Sequence, residues 1–231
     1  MGWKLNKSLL IIIPSLVAFG ILWVNYLIGE KRKLMSGPVK IEISGENMNI
    51  PTSYFYSETI EKGIKWVSPK EERIMVRSIS ISMLLPDLEG YSRENSGEWN
   101  NNGRGKRLDL LIEEFKYGKP GIENLEKRMW NTVESSGFHE KPKEIYGLAW
   151  FKSKSNLGDV YFSNNLKTKI TCDSKLMLKK TGIVSPSCFV WSSYDDKLVL
   201  QYYFSAEYLK SWRDIDWKIK SLVKEFIENA G

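Results

Sequence analysis

Histidine and cysteine are scarce in this chain of 231 residues, which contains one histidine and two cysteines. A protein zinc site takes about four ligands, mostly histidine and cysteine, so His139, Cys172 and Cys188 are too few to build one. His139 lies in a polar turn beside Glu140 and Lys141, where a single histidine is typical of a surface position. We therefore expect neither a metal ion nor a cofactor.

Recognised catalytic motifs are also absent. No G-x-S-x-G elbow occurs, and no S-x-x-K accompanies the motifs that usually go with it. The glycine-rich segment 103–106 lacks the frame of a phosphate-binding loop. The pairs Glu113-Glu114 and Asp195-Asp196 are adjacent, so on a strand their carboxylates point to opposite faces and do not converge on a substrate. We predict a protein that is not an enzyme, with a hydrolase of unrecognised site as an alternative.

Positive charge is concentrated at the start of the chain. The formal net charge is +6, but residues 1–33 contain five basic residues and one acid, which leaves 29 basic and 27 acidic residues beyond them. Anionic lipids attract basic residues that flank a membrane segment, so no nucleic acid is needed to explain them. We exclude nucleic acid as a partner.

One long apolar run is present, at residues 9–29. About 20 apolar residues match the hydrocarbon core of a bilayer, and Trp3, Trp23 and Tyr26 lie near the ends of the run, where aromatic rings prefer the headgroup zone. The pattern predicts an uncleaved transmembrane anchor. A cleaved signal peptide is the alternative, although its apolar region is usually only about 7–15 residues.

The two cysteines, Cys172 and Cys188, are separated by 15 residues. A disulfide that closes such a loop contributes about 3 kcal/mol in the chain-entropy model, and disulfides persist in oxidising compartments. We predict a Cys172–Cys188 disulfide in an exported domain. Two free thiols in a cytosolic domain are the alternative.

Short β-branched and aromatic segments separated by turn residues predict an antiparallel sheet. The predicted strands are residues 73–85, 108–115, 144–151, 159–163, 168–172, 188–193 and 197–204. Apolar residues at helical spacing predict one helix over residues 121–136 and a second at the end of the chain, N-capped by Ser205. The fold class expected is α+β, an antiparallel sheet with two packed helices, preceded by one N-terminal transmembrane helix.

The predicted domain organisation follows the composition along the chain. We expect a tip at residues 1–8, the anchor at 9–29, a linker with one short strand at 30–53, and a domain at 54–231. That domain is long enough for one core or for two packed halves, 54–140 and 141–231.

A long polar loop, residues 86–107, contains the residue types that dominate interface hot spots: Tyr91, Arg93, Trp99, Arg104 and Arg107. Long loops in compact domains are usually functional or mobile. Two interpretations stay open for this loop. It is either a partner-binding surface, or a solvated loop in which Trp99 merely packs onto the core.

Several segments together resemble membrane-anchored periplasmic immunity proteins of Gram-negative type VI secretion effectors, several of which are phospholipases. The segments are LLPDLEGYSRENSGEW with RGKRLDLLIEE, then YF, ITC, SC and LVLQYYFSAEYLKSW with ID and IKSLVKEF, and the likeness covers residues 50–229. The shared features are a proline-aspartate turn, the cysteine pair and the terminal helix.

The resemblance implies a single-pass inner-membrane protein whose C-terminal domain lies in the periplasm. There it would bind a cognate toxic effector, for which a lipase is one candidate, and block its active site. We predict that Tyr91, Arg93, Trp99, Arg104 and Arg107 contact the effector. The alternative is a bitopic inner-membrane scaffold subunit of a cell-envelope or secretion complex.

Overall fold

The computed structural model describes residues 37–56, 72–99, 105–115, 143–151, 158–173 and 186–231. These residues form a three-stranded sheet, an eight-stranded sheet and a long C-terminal helix. The predicted helix over residues 121–136 and the predicted anchor at 9–29 lie outside the described residues.

The small sheet is built from a hairpin, β1 (Pro38–Ile43) and β2 (Glu46–Pro51), with β3 (Ile74–Met75) paired in parallel to β1. Ser44 and Gly45 form the two-residue turn of the hairpin, with φ of 53° and 83°. Such positive angles are those of a type I′ turn, whose twist matches the flanking strands. Residues of the predicted linker thus contribute buried side chains to the core, namely Val39, Ile41, Ile43, Met48 and Ile50.

The large sheet has the strand order β4-β5-β11-β10-β9-β8-β7-β6, and all its pairings are antiparallel. Strands β6 to β11 follow one another across the sheet in chain order, as an antiparallel meander. The bounds are β4 Ser78–Leu84, β5 Arg107–Glu114, β6 Lys143–Ile145, β7 Leu148–Phe151, β8 Asp159–Ser163, β9 Thr168–Cys172, β10 Ser187–Ser193 and β11 Leu198–Ser205.

The segment 144–151, predicted as one strand, is a hairpin. β6 and β7 pair with each other, with Ile145 opposite Leu148. Tyr146 and Gly147 between them have φ of 55° and 72°, again the angles of a type I′ turn. The single-strand prediction was wrong because tyrosine occupies the first turn position in place of the asparagine of the asparagine-glycine pair that normally marks such a turn.

The helices of the described residues are a single turn, α1 (Ser96–Trp99), and the C-terminal helix α2 (Trp212–Glu228). A 3-10 segment, Ala206–Ser211, precedes α2. The prediction that Ser205 caps the terminal helix was wrong. The Ser205 side chain makes no capping hydrogen bond, and the 3-10 segment lies between Ser205 and the start of the α-helix at Trp212.

One face of the large sheet packs against α2. Alternate residues of β11 point to this face and are buried with the apolar stripe of the helix. The Tyr202 hydroxyl donates to the Asp216 Oδ1 atom over 2.8 Å, and Asp216 also pairs with Lys220 at 2.8 Å. Burial, and then the Asp216 carboxylate, hold the pKa of Tyr202 well above its usual value, so its proton stays in this bond.

The predicted disulfide between Cys172 and Cys188 is confirmed. The two cysteines are directly opposite each other on β9 and β10, and their Cα atoms are 4.0 Å apart. The bridge therefore links two neighbouring strands covalently.

The predicted fold class needs correction. The described residues are mostly antiparallel strands with one helix longer than a turn, at the C-terminus, so the expected two packed helices behind a transmembrane helix were wrong. No helix within the described ranges has the length and apolar character required to cross a bilayer. The expectation of a single-pass inner-membrane protein with a periplasmic domain is therefore not supported.

Two tryptophans of α2 allow a matched test of the core. Trp212 is 5% exposed and Trp217 is 65% exposed. Replacing Trp212 by alanine should lower the free energy of unfolding by about 3–5 kcal/mol, because a large buried ring leaves a cavity. Trp217→Ala should change it by less than about 0.5 kcal/mol. Urea unfolding followed by circular dichroism measures both, and equal losses would contradict the packing described.

A second prediction concerns the disulfide. The double variant Cys172→Ser, Cys188→Ser should unfold with about 3 kcal/mol less free energy than the natural chain, as expected for a loop of this length. Adding a thiol reductant to the natural chain should give the same loss. The reductant should have no further effect on the double variant, because the chain has no other cysteine.

Candidate functional site

The loop between β4 and β5 folds around an aromatic cluster that we define as Tyr56, Tyr91 and Trp99. The ring centroid of Tyr56 is 4.8 Å from that of Tyr91 and 4.6 Å from that of Trp99, and the Tyr91 and Trp99 centroids are 5.8 Å apart. The guanidinium of Arg107 lies 5.5 Å from the Tyr56 ring centroid, within the range of a cation–π contact. The cluster joins the loop to the segment after β2.

The Asn95 side chain organises the loop from within. Its Oδ1 atom accepts hydrogen bonds from the Ser92 backbone N–H at 2.8 Å and from the Trp99 Nε1 at 2.9 Å. Its Nδ2 atom donates to the Gly90 carbonyl at 2.9 Å. One amide thus satisfies the buried indole and two backbone groups, which fixes the path of the chain around α1.

Backbone contacts attach the loop to the body of the protein. The Tyr91 N–H donates to the Ser53 carbonyl at 2.8 Å, and Glu89 forms a β-bridge with Leu84. A Cβ at Gly90 would lie 2.4 Å from the Ser53 Oγ atom, so only glycine permits this approach. Across the molecule, Lys218 of α2 donates to the Pro86 carbonyl at 3.1 Å. The described part of the loop is therefore a structured surface.

The structure separates the five predicted contact residues by their exposure. Arg93 is exposed, whereas Trp99 is only 1% exposed and lies at the base of the aromatic cluster. Tyr91 packs against that cluster and is partly buried. The Arg107 side chain is largely buried, and its Nε donates to the Asp109 Oδ1 at 3.0 Å. Arg104 lies outside the described residues, and the contact role of all five stays a prediction.

Charged groups form the rim of the loop. Lys106 pairs with Glu98 at 2.9 Å, and this carboxylate raises the pKa of Lys106. Hydrogen bonds from its own backbone and from Ser92 lower the pKa of Glu94. Within the described ranges no cluster of three or more histidine, cysteine, aspartate or glutamate residues has the arrangement that holds a metal ion. An exposed charged rim around packed aromatic rings is suited to recognising another macromolecule.

A second aromatic surface lies on the outer face of the large sheet, the face opposite α2. Phe189 of β10 is directly opposite Tyr203 of β11, with ring centroids 4.7 Å apart, and Tyr203 is 53% exposed. Sequence reasoning did not single out these residues. The available signal was that β10 and β11 carry large apolar residues at successive positions, so that both faces of these strands are apolar instead of one.

No protein-family model matches the sequence, and no curated protein matches it. A solved structure with a similar fold is that of an immunity protein of the Stenotrophomonas maltophilia type IV secretion system. The two align with a TM-score of 0.58 over 83% of this chain and 93% of that one, at 13% sequence identity. At this identity the likeness establishes a shared fold.

The Asn95 network predicts how the loop responds to mutation. Asn95→Ala leaves the buried Trp99 indole N–H without its acceptor, which should lower the free energy of unfolding by about 1–3 kcal/mol. Amide hydrogen exchange in residues 88–99 should accelerate with it. Ser96→Ala is the matched control, because it removes only an exposed bond to the Arg93 carbonyl, and it should leave both measurements nearly unchanged.

Proposed function

We propose that this protein is an immunity protein, which binds a toxic secreted effector and neutralises it by covering the surface the toxin needs for activity. The observation that carries the proposal is the fold, which is shared along nearly the whole length of an immunity protein from a bacterial secretion system. The segments quoted above for the family resemblance point to the same class independently of that structure. An immunity protein requires a rigid binding surface and no catalytic residue of its own.

The loop between β4 and β5 is the first surface that we assign to effector binding. Its backbone is held by Ser53 and Asn95, so little conformational entropy is lost when a partner docks. In this assignment Arg93 contacts the effector directly, with Arg104 as a further contact. Trp99, Tyr91 and Arg107 support the loop from beneath. Tight inhibition needs about 800 Å² of buried surface on each partner.

The finer features of the effector are part of this proposal as well. The family resemblance favours a type VI effector with phospholipase activity, whereas the structural neighbour is an immunity protein of a type IV secretion system. Both descriptions have in common a secreted toxin that the producing cell must neutralise. We therefore assign the class of partner first and leave its chemistry to the experiment.

The test is to co-express the chain with the secreted protein encoded by the neighbouring gene, in the compartment where that protein is toxic. The expected result is rescue of growth, with a stable complex of the two purified proteins. Effector activity against phospholipid and against peptidoglycan, measured with and without the chain, then identifies the toxin's substrate. Absence of both rescue and complex would overturn the immunity proposal.

Charge reversal at the loop tests the assigned surface within the same assay. Arg93→Glu should weaken the complex at least tenfold without lowering the free energy of unfolding, because the side chain is exposed. Arg77→Glu is the matched control, since Arg77 is also exposed but lies at the opposite end of β4 from the loop. Equal affinities of the two variants for the effector would contradict the assignment of this loop as the binding surface, but they would not contradict the immunity function.

A further inference from the structure

The turn between β6 and β7 presents an aromatic side chain in a conformation that bulky residues rarely adopt. Tyr146 has a φ of 55°, and its side chain is 51% exposed. Asparagine or glycine normally occupies this position of a type I′ turn. Left-handed backbone strain at a bulky residue persists only where surrounding contacts enforce it, and such residues cluster at functional sites. The Tyr146 ring is not among the side chains of the hydrophobic core in the described residues.

Arg213 lies directly against this turn. Its guanidinium carbon is 5.5 Å from the ring centroid of Trp212, whose Nε1 donates to the Tyr146 carbonyl at 2.9 Å. A Cβ at Gly147 would lie 2.6 Å from the Arg213 Nη2 atom, so glycine leaves the room that the guanidinium occupies. The Arg213 guanidinium thus lies between the Trp212 indole ring and the Gly147 backbone, and the residue remains exposed. A guanidinium fixed in this way is preorganised for binding.

Arg213 is also the one cation of α2 that lacks a carboxylate partner among the described residues. The three lysines of the helix each have one within 3.4 Å, in the pairs Lys218–Asp214, Lys220–Asp216 and Lys224–Glu228. One helical turn beyond Arg213, on the same side of α2, Trp217 is 65% exposed. An unpaired arginine with an exposed tyrosine and an exposed tryptophan is the composition of an interface hot spot.

We propose that Tyr146, Arg213 and Trp217 form a second effector-binding surface. In it Arg213 binds a carboxylate side chain of the effector, and the two aromatic rings pack against apolar atoms beside that carboxylate. The partner's acidic group is assigned by charge complementarity, because Arg213 is the position of α2 whose charge no carboxylate of the described residues neutralises. This inference rests on the proposed immunity function.

This surface lies close to the β4–β5 loop. The first turns of α2 contact the β6–β7 turn on one flank through Trp212 and Tyr146, and the β4–β5 loop on the other through Lys218 and Pro86. An effector seated over the start of α2 would therefore reach both surfaces at once.

The experiment measures the affinity of the full chain for the neighbouring-gene product, the probe, by isothermal titration calorimetry at two salt concentrations. Arg213→Gln and Trp217→Ala should each weaken binding at least tenfold, and Arg213→Gln should reduce the salt dependence of the affinity. Lys224→Ala is the control on the same helix, with an expected change below twofold. Unchanged affinity in both test variants would overturn this surface.

Tyr146→Asn separates binding from folding. Asparagine suits the left-handed turn position better than tyrosine does, so this variant should unfold at the same or a higher urea concentration while it binds the effector at least tenfold more weakly. Full affinity in Tyr146→Asn would remove the tyrosine from the surface. If the natural chain binds the probe and the variants bind it equally well, only this surface fails. If the natural chain itself does not bind the probe, the immunity proposal fails and this surface fails with it.

Discussion

The apolar stripe of α2 has to cover two sheets at once, and most of the structure is arranged around that requirement. Buried residues of the helix pack on the inner face of the large sheet. The residues that follow its C-terminus contact the small sheet and Arg73 beside it, through hydrogen bonds from Asn49 to the Asn229 carbonyl and from Arg73 to the Ala230 carbonyl. A further ion pair, Lys197 with Glu46, joins the sheets directly. Without the helix, both sheets would expose an apolar face to water.

The strands of the large sheet were predictable where one face is apolar and turn residues flank the segment, as in β5, β8 and β9. The two type I′ hairpins were not predictable from the sequence, because Ser44-Gly45 and Tyr146-Gly147 lack the asparagine or aspartate that is typical of such turns. The start of the terminal helix was missed for a related reason. The apolar spacing continues through the 3-10 segment, so periodicity alone does not mark where the α-helix begins.

Predicting the candidate site was harder, since residue type in a loop does not reveal burial. The residue types predict the same contact role for Trp99 and Arg93, yet Trp99 lies beneath the loop surface and Arg93 lies on it. Arg213 has no signal in the sequence. What distinguishes it is that no carboxylate within the described ranges pairs with it, and that its guanidinium lies against Gly147 in a turn distant along the chain. Such a property belongs to tertiary structure.

The strand order of the large sheet has a consequence for how the chain folds. β11 lies between β5 and β10, so the strand of this sheet that comes last along the chain occupies an interior position. The β4–β5 pair and the β6–β10 meander can each form earlier, but they have no shared hydrogen bonds until β11 enters. Contacts of such long sequence separation slow folding. During synthesis the half-built sheet therefore exposes two unfilled edges, and a chain that stops before β11 is a candidate for aggregation and proteolysis.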